Sequence, residues 1–183
     1  SLAILSPLFA SADPILTVKD WSYSERSLSA GIVCVASTQY SASAGTFTFE
    51  ISKTKNIANQ PAEIFIRVEN NKYGVTGFQA LFDLNTHQIG FSELENLNGL
   101  QTFWGTPKNL SNLILQMQKQ KDRIPIQGRG GRKDVDFEFK VKGFKEVFAE
   151  LEMQCNGAQP LVSKSFESEF LSKTPEIIDT TQV

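Results

Sequence analysis

The sequence predicts a mainly β fold, an antiparallel β-sandwich with two short amphipathic covering helices. Three observations support this prediction. Several segments alternate polar and apolar residues, two later segments show helical spacing, and no regular strand–helix alternation typical of a parallel sheet is visible. At 183 residues, with 40% hydrophobic and 21% charged residues, the chain is long enough to bury a substantial core.

Alternation with a period of two is the signal for strands, because successive side chains of a strand point to opposite faces of the sheet. In the clearest case, residues 134–142, every even position is charged and every odd position is apolar. Residues 32–36 are apolar on both faces, which predicts a central strand. The segments predicted to be strands are 15–22, 31–38, 46–52, 62–69, 78–84 and 134–142.

Two segments switch to the spacing of a helix. In the first, Thr106 is the predicted N-cap and Pro107 the first helical residue, and apolar residues follow at helical intervals: Leu110, Leu113, Ile114 and Met117. The second is predicted to start at Gly143, and its apolar stripe consists of Phe144, Val147, Phe148 and Leu151. We expect both helices to pack across the sheet.

The first twelve residues are apolar and uncharged, and they end in Ala10-Ser11-Ala12, the small-x-small pattern that a signal peptidase recognises. We therefore expect residues 1–12 to be the remnant of a secretory signal peptide. The alternative is a mature segment that packs on the body. Residues 13–157 are predicted to form a single β-rich globular domain, and residues 158–183 a C-terminal tail of low order. The expected location is periplasmic or secreted, and no other apolar run is long enough to cross a membrane.

The two cysteines, Cys34 and Cys155, lie far apart and have no metal-binding spacing around them. In an exported protein such a pair predicts a disulfide. The chain-entropy model assigns about 4–5 kcal/mol to closing so long a loop. The alternative is two buried free thiols that behave as small hydrophobic side chains.

The candidate binding residues belong to a basic, glycine-rich turn: Arg129, Arg132 and Lys133 lie on it, and Arg123 lies at its base. Residues 119–145 carry nine basic and four acidic side chains, although the whole chain has a formal net charge of -2. Guanidinium and ammonium groups on such a turn are suited to carboxylates and phosphates. The predicted partner is therefore an anionic envelope polymer or another envelope protein. The alternative is a solvated loop that contributes only solubility. Residues 13–157 carry 16 basic and 16 acidic side chains, and this balance argues against nucleic acid as a partner.

Catalytic chemistry finds little support in the sequence. His87 is the only histidine and follows a strand in a polar segment, which indicates a solvated imidazole and not a general base. Two carboxylate pairs, Glu93 with Glu95 and Asp134 with Asp136, have the i, i+2 spacing that places both groups on one face of a strand. Charges that alternate along a strand are normally its solvated face. We predict no enzyme, no cofactor and no metal site, and the rival hypothesis is a carboxylate-dependent hydrolase acting on envelope glycans.

The C-terminal half carries a family resemblance. The pattern Leu110-x-x-Leu-Ile-x-x-Met-x-Lys is followed by Arg123-Ile-Pro-Ile, a glycine turn, Val135-Asp-Phe-Glu-Phe-Lys-Val and Lys142-Gly-Phe-Lys-Glu-Val-Phe-Ala-Glu-Leu. This order resembles the C-terminal half of the invasion-associated locus B-like family of exported bacterial proteins, over roughly residues 108–152. The resemblance implies a periplasmic or secreted β-sandwich without known catalytic chemistry. The predicted function is thus binding or structural support in the bacterial envelope.

Overall fold

A computed structural model describes residues 13–57, 59–82, 87–119 and 123–156. Within these ranges the chain forms ten strands and two helices. The strands are β1 (Leu16–Val18), β2 (Trp21–Leu28), β3 (Gly31–Ala42), β4 (Gly45–Thr54), β5 (Glu63–Glu69), β6 (Gly77–Phe82), β7 (His87–Leu97), β8 (Leu100–Gly105), β9 (Ile124–Arg129) and β10 (Val135–Phe139). The helices are α1 (Leu110–Gln118) and α2 (Phe144–Cys155).

The strands form one continuous antiparallel sheet in the order β1-β2-β3-β4-β5-β8-β7-β6-β9-β10. The first five strands follow one another as hairpins. The next strand along the chain, β6, does not pair with β5. It lies three places further along the sheet, so β5 pairs with β8 and β6 pairs with β9. The predicted mainly β, antiparallel fold with two helices is confirmed, and its two facing layers belong to a single curled sheet.

The core lies inside the curled sheet, where β4 and β10 face each other. Phe47 and Phe49 on β4 face Phe137 and Phe139 on β10, with ring centroids 4.5 Å apart for Phe47–Phe137 and 5.1 Å apart for Phe49–Phe139. The four rings are almost completely buried. Burying large apolar side chains is the main favourable contribution to folding, at about 1.5–3 kcal/mol for each side chain. The apolar residues of the alternating segment 134–142 therefore form the core face of the last strand.

Backbone and indole groups join the two ends of the sheet. Trp21 is fully buried, and its Nε1 donates to the carbonyl oxygen of Lys140 at 2.8 Å. Next to it, the amide of Asp20 donates to the carbonyl oxygen of Lys142 at 3.3 Å. The indole of Trp21 also packs against Phe144, the first residue of α2. The segment between β10 and α2 thus lies against the turn between β1 and β2.

The predicted disulfide is confirmed. Cys34 on β3 and Cys155, the last residue of α2, are bonded, with their Cα atoms 6.2 Å apart. The bond lies beside an ion pair between Lys53 and Glu152, whose Nζ and Oε1 are 2.7 Å apart. Together these contacts hold the C-terminal end of α2 against β3 and β4, and the alternative of two free thiols is excluded.

The first helix begins later than the sequence predicts. Asn109, and not Thr106, precedes the first helical residue, Leu110, and it has a left-handed backbone with φ of 68° and no side-chain cap. Asparagine tolerates this conformation, and its Nδ2 donates to the carbonyl oxygen of Gln88 at 3.3 Å. Pro107 therefore lies in the turn before the helix. The second helix begins at Phe144, one residue after the predicted start, and Gly143 is its N-cap.

The strand prediction for residues 15–22 was too simple, because Lys19, with φ of 54°, turns the chain between β1 and β2. Leu84, the predicted last residue of the strand 78–84, lies outside the described residues, as do the segments 1–12 and 158–183. Neither α1 nor α2 has the length and apolar character needed to cross a bilayer, and these are the helices of the described ranges.

Candidate functional site

The predicted basic residues lie on the hairpin formed by β9 and β10, and two of them are neutralised by carboxylates. Arg129 contacts both Asp136 and Asp134. The hydrogen bond from Asp136 raises the pKa of the Arg129 guanidinium above its ordinary value, because the carboxylate stabilises the charged form. Arg123 lies 3.6 Å from a carboxylate oxygen of Glu138. Both arginines have charge partners on β10 or next to it.

The other two predicted residues join a cluster that includes Lys72 and Tyr73. Lys133 and Lys72 place their Nζ atoms 5.4 Å and 5.6 Å from the centroid of the Tyr73 ring. Arg132 donates from Nη2 to the carbonyl oxygen of Lys72 at 2.6 Å. We call Lys72, Tyr73, Arg132 and Lys133 the cationic cluster. Its three cations make no ion pair with a carboxylate within the described part of the chain.

Backbone hydrogen bonds hold the two turns that form the cationic cluster. The amide of Arg132 donates to the carbonyl oxygen of Tyr73 at 2.8 Å, and the amide of Thr76 donates to the carbonyl oxygen of Arg129 at 3.0 Å. Gly131 permits this approach, because a Cβ at this position would lie 2.3 Å from the carbonyl oxygen of Tyr73. The cations are therefore presented by two turns that are fixed to each other.

Asn71 orders the turn that carries Lys72. Its Oδ1 accepts from the amide of Val75 at 3.0 Å, and its Nδ2 donates to the carbonyl oxygen of Val75 at 2.9 Å. The same Nδ2 lies 2.7 Å from Oε1 of Gln101 on β8. The sequence alone did not place Lys72 beside Arg132 and Lys133, because the contact depends on where the chain crosses the sheet.

The sequence-predicted carboxylate pairs do not form a converging site. A bulge in β7 places Glu93 opposite the core residue Phe103 and Glu95 opposite Thr102, so the two glutamates lie on opposite faces of the strand. The prediction that they share a face was wrong, because the extra residue of the bulge reverses the alternation. The other pair, Asp134 and Asp136, is directed to Arg129 as described above.

His87 is the first residue of β7, and its ring stacks on that of Phe82 with centroids 5.6 Å apart.

On the same sheet, a different polar cluster lies near the disulfide. There the hydroxyl of Tyr23 donates to Glu25 at 2.8 Å and Lys55 donates to the same carboxylate at 3.0 Å. These two hydrogen bonds lower the pKa of Glu25, whereas burial raises the pKa of Tyr23. The arrangement stabilises a charged carboxylate and a neutral phenol.

A polar groove crosses the outer face of β2 to β5, on the side of the sheet opposite the core. Glu50 lies at its floor, with a side chain only 4% exposed. Its carboxylate accepts from Arg26 at 2.9 Å and from Arg67 at 2.8 Å. The groove encloses about 360 Å³, and most of its lining side chains are serine, threonine, glutamine or charged. This site was not predicted from the sequence, because the outer positions of the strands were interpreted as an ordinary solvated face.

No group of three or more histidine, cysteine, aspartate or glutamate residues in the described ranges is placed to hold a metal ion. No family model, no curated protein and no solved structure matches this chain.

Proposed function

We propose that this chain is a non-catalytic protein of the periplasm or the secreted space that binds an anionic envelope polymer through its cationic cluster. The observation that carries this proposal is the cluster in which Lys72 and Lys133 lie against the Tyr73 ring and Arg132 donates to the carbonyl oxygen of Lys72, without a carboxylate partner for any of the three among the described residues. Exposed cations that lack a partner attract anions, and clustering them raises the local potential.

The geometry suits a polymer with many anionic groups better than a single small ligand that binds in a deep pocket. Lys72, Arg132 and Lys133 are exposed, so each interaction with a polymer is weak and screened by salt. The turns that carry them are held by backbone hydrogen bonds, so little conformational entropy is lost on binding. Several weak contacts to one chain then add through their high effective concentration. That Arg123 and Arg129 also contribute to binding stays a prediction.

Two observations support the proposed location outside the cytoplasm. The disulfide between Cys34 and Cys155 is of the kind that persists in oxidising compartments. The resemblance of residues 108–152 to the invasion-associated locus B-like family has the same implication. The predicted role in structural support is compatible with this function, because a domain that binds the polymer also connects it to any other envelope component that the domain contacts.

The rival hypothesis of a carboxylate-dependent hydrolase receives less support from the geometry. Such an enzyme needs two carboxyl groups that converge on one bond, with different environments that set one as acid and the other as base or nucleophile. Glu93 and Glu95 lie on opposite faces of β7, and Asp134 and Asp136 share Arg129. Neither pair has the required arrangement.

The test is a charge-matched comparison of two triple variants. In the first, Lys72, Arg132 and Lys133 are replaced by serine. In the control, the exposed residues Lys108, Lys142 and Lys145 are replaced by serine, which changes the net charge by the same amount. Binding of both variants and of the wild type to dextran sulfate is measured over a range of salt concentrations, and circular dichroism checks that each variant is folded.

The cluster variant is expected to lose most of its binding at low salt and to show a weaker salt dependence, whereas the control keeps the behaviour of the wild type. Equal losses in both variants would mean that only net charge matters and would overturn the assignment to the cluster. If the wild type does not bind dextran sulfate but captures an acidic envelope protein through the same residues, the polymer is the wrong partner.

A further inference from the structure

The groove on the outer face of the sheet contains a charge network that is built into the fold. Arg26 on β2 reaches across β3 to Glu50 on β4, and Arg67 on β5 contacts the same carboxylate from the other side. The arginine side chains are 18% and 19% exposed. A charge removed from water to this extent is tolerated only when it is paired, and here each group fixes its partner. The network therefore presents donors and acceptors in fixed positions.

Hydroxyl and amide side chains surround this network. Ser22, Ser24, Ser37 and Thr48 line the groove together with Gln39. A hydroxyl group both donates and accepts hydrogen bonds, and an amide side chain offers one group of each kind. The enclosed volume of about 360 Å³ lies in the range of small-molecule sites. Such a lining is complementary to a ligand whose own groups both donate and accept hydrogen bonds.

An aromatic pair on β5 and β8 continues the row of outer residues that contains Glu50, beyond the side chains that line the groove. Glu50, Phe65 and Trp104 are successive cross-strand partners in one row of the sheet, so all three side chains lie on the outer face. Trp104 is 36% exposed, so part of its ring meets solvent. The guanidinium of Arg67 lies 5.6 Å from the centre of the Phe65 ring. Polar hydrogen-bonding groups and exposed aromatic surface are therefore adjacent.

We propose that this groove binds a neutral saccharide. A sugar ring carries hydroxyl groups at its edge and C–H groups on its faces, so it uses both parts of the surface. The hydroxyl groups would exchange hydrogen bonds with the Arg26–Glu50–Arg67 network and the serine and threonine side chains, and a ring face would pack on Trp104.

The charges of the groove argue against an anionic ligand at this position. Glu50, Glu69 and Asp20 line it together with Arg26 and Arg67, so acidic groups outnumber basic ones. The polar lining also disfavours an apolar ligand. An extended peptide finds no unpaired backbone groups on the floor, because β3, β4 and β5 are each hydrogen-bonded to a strand on both sides. A neutral polyhydroxylated ligand is consistent with the excess of acidic groups, with the polar lining and with the paired backbone groups of the floor.

This inference is independent of the function proposed for the cationic cluster, and its test separates the two. The full chain, labelled with nitrogen-15, is titrated with chitotriose, cellotriose and maltotriose, and amide and indole shifts are followed by NMR. At least one of these sugars is expected to shift the signals of Ser37, Thr48 and the Trp104 indole. The variant in which Lys72, Arg132 and Lys133 are replaced by serine is expected to bind the sugar like the wild type.

Two single variants test the surfaces separately. Trp104→Ala removes the aromatic surface, and Gln39→Ala removes an exposed amide without disturbing the buried network. Trp104→Ala is expected to weaken binding by about 3- to 10-fold. Leu115→Ala, which changes an exposed apolar residue of α1, is the matched control and is expected to have no effect.

Three outcomes would overturn the proposal. The first is the absence of shifts with all three sugars at concentrations up to about 10 mM. The second is binding that both Trp104→Ala and Gln39→Ala leave unchanged. The third is a preference for the acidic trisaccharide trigalacturonate, since that result would assign the groove to anionic ligands.

Discussion

The indole Nε1 of Trp21 donates a hydrogen bond to the carbonyl oxygen of Lys140, and this bond connects residues 119 positions apart in the chain. Because Trp21 is fully buried, the loss of this bond would leave a polar backbone group without its partner in the core. The contact closes the curled sheet between β2 and the end of β10. Its contribution to stability is directly measurable.

Replacing Trp21 by phenylalanine is expected to lower the free energy of unfolding by about 1–3 kcal/mol, because it removes the hydrogen bond and part of the packing. Trp104→Phe is the matched control, since Trp104 is partly exposed, and it is expected to change stability by less than about 0.5 kcal/mol. Urea unfolding of both variants provides the measurement. A Trp21 variant as stable as the control would show that the sheet does not depend on this contact.

Removal of the disulfide by the double substitution Cys34→Ser and Cys155→Ser is expected to lower the free energy of unfolding by about 2–5 kcal/mol, because it removes a constraint on the unfolded chain. The sheet should still form, because the bond is only a small part of the buried core and the aromatic packing between β4 and β10 does not depend on it. Guanidinium unfolding with and without reductant measures the effect. Reductant should have no effect on the double variant, and two free thiols in the unreduced wild type would contradict the structure.

Gly143 is expected to tolerate no side chain. It has φ of 92°, and a Cβ on it would lie 1.8 Å from the carbonyl oxygen of Val18. Gly143→Ala should therefore lower stability by about 2–5 kcal/mol, from backbone strain and from the clash. Gly74, with φ of 65° and no atom near its Cβ position, is the control for strain alone, and Gly74→Ala should cost about 1–2 kcal/mol. Equal thermal shifts for the two variants would argue against the contact with Val18.

The charged form of Glu25 is stabilised in the folded state, so its contribution to stability depends on pH. The hydrogen bonds from Tyr23 and Lys55 lower its pKa below the ordinary value of 4.5. Its stabilisation is therefore fully present above that value and is lost as the pH falls through the folded-state pKa. The difference in unfolding free energy between wild type and Glu25→Gln should be constant at neutral pH and should shrink below pH 4.5. A difference that does not depend on pH would contradict this assignment.

Glu50 is expected to be the most sensitive carboxylate of the outer face. Glu50→Gln keeps the size of the side chain but leaves Arg26 and Arg67 without their counter-charge, which should cost about 2–4 kcal/mol. Glu69→Gln, at an exposed position of the same groove, should change stability by less than about 0.5 kcal/mol. Chemical unfolding distinguishes the two. An unaffected Glu50→Gln variant would show that the arginines are stable without the carboxylate.

The strands with clean alternation were predictable from the sequence, because one face of each packs on the core and the other meets water. Residues 134–142 and 62–69 are examples, and they became β10 and β5 with shifted ends. The region of β7 and β8 gave no such signal, because the bulge between Glu93 and Glu95 interrupts the alternation. Helix spacing located α1, but the left-handed Asn109 displaced its start.

The candidate site was only partly predictable. The sequence identified Arg132 and Lys133 because they lie together on one turn, and it identified the cysteine pair because the chain has only two cysteines. It did not identify Lys72 as their neighbour, because no local pattern encodes the passage of the chain from β5 to β6. The same holds for Arg26, Glu50 and Arg67, which lie on three strands and meet only through the order of the sheet.

The pairing of β5 with β8 has a consequence for the nascent chain. β2 to β5 can form as successive hairpins while the chain is being made, but β5 ends at Glu69 and its second partner begins only at Leu100. During that interval β5 is the open edge of a growing sheet, and such an edge readily pairs with another chain. Three of its four outward residues, Glu63, Arg67 and Glu69, are charged, and charges on an edge oppose that pairing. The arginine that later contacts Glu50 thus also protects the unfinished protein from aggregation.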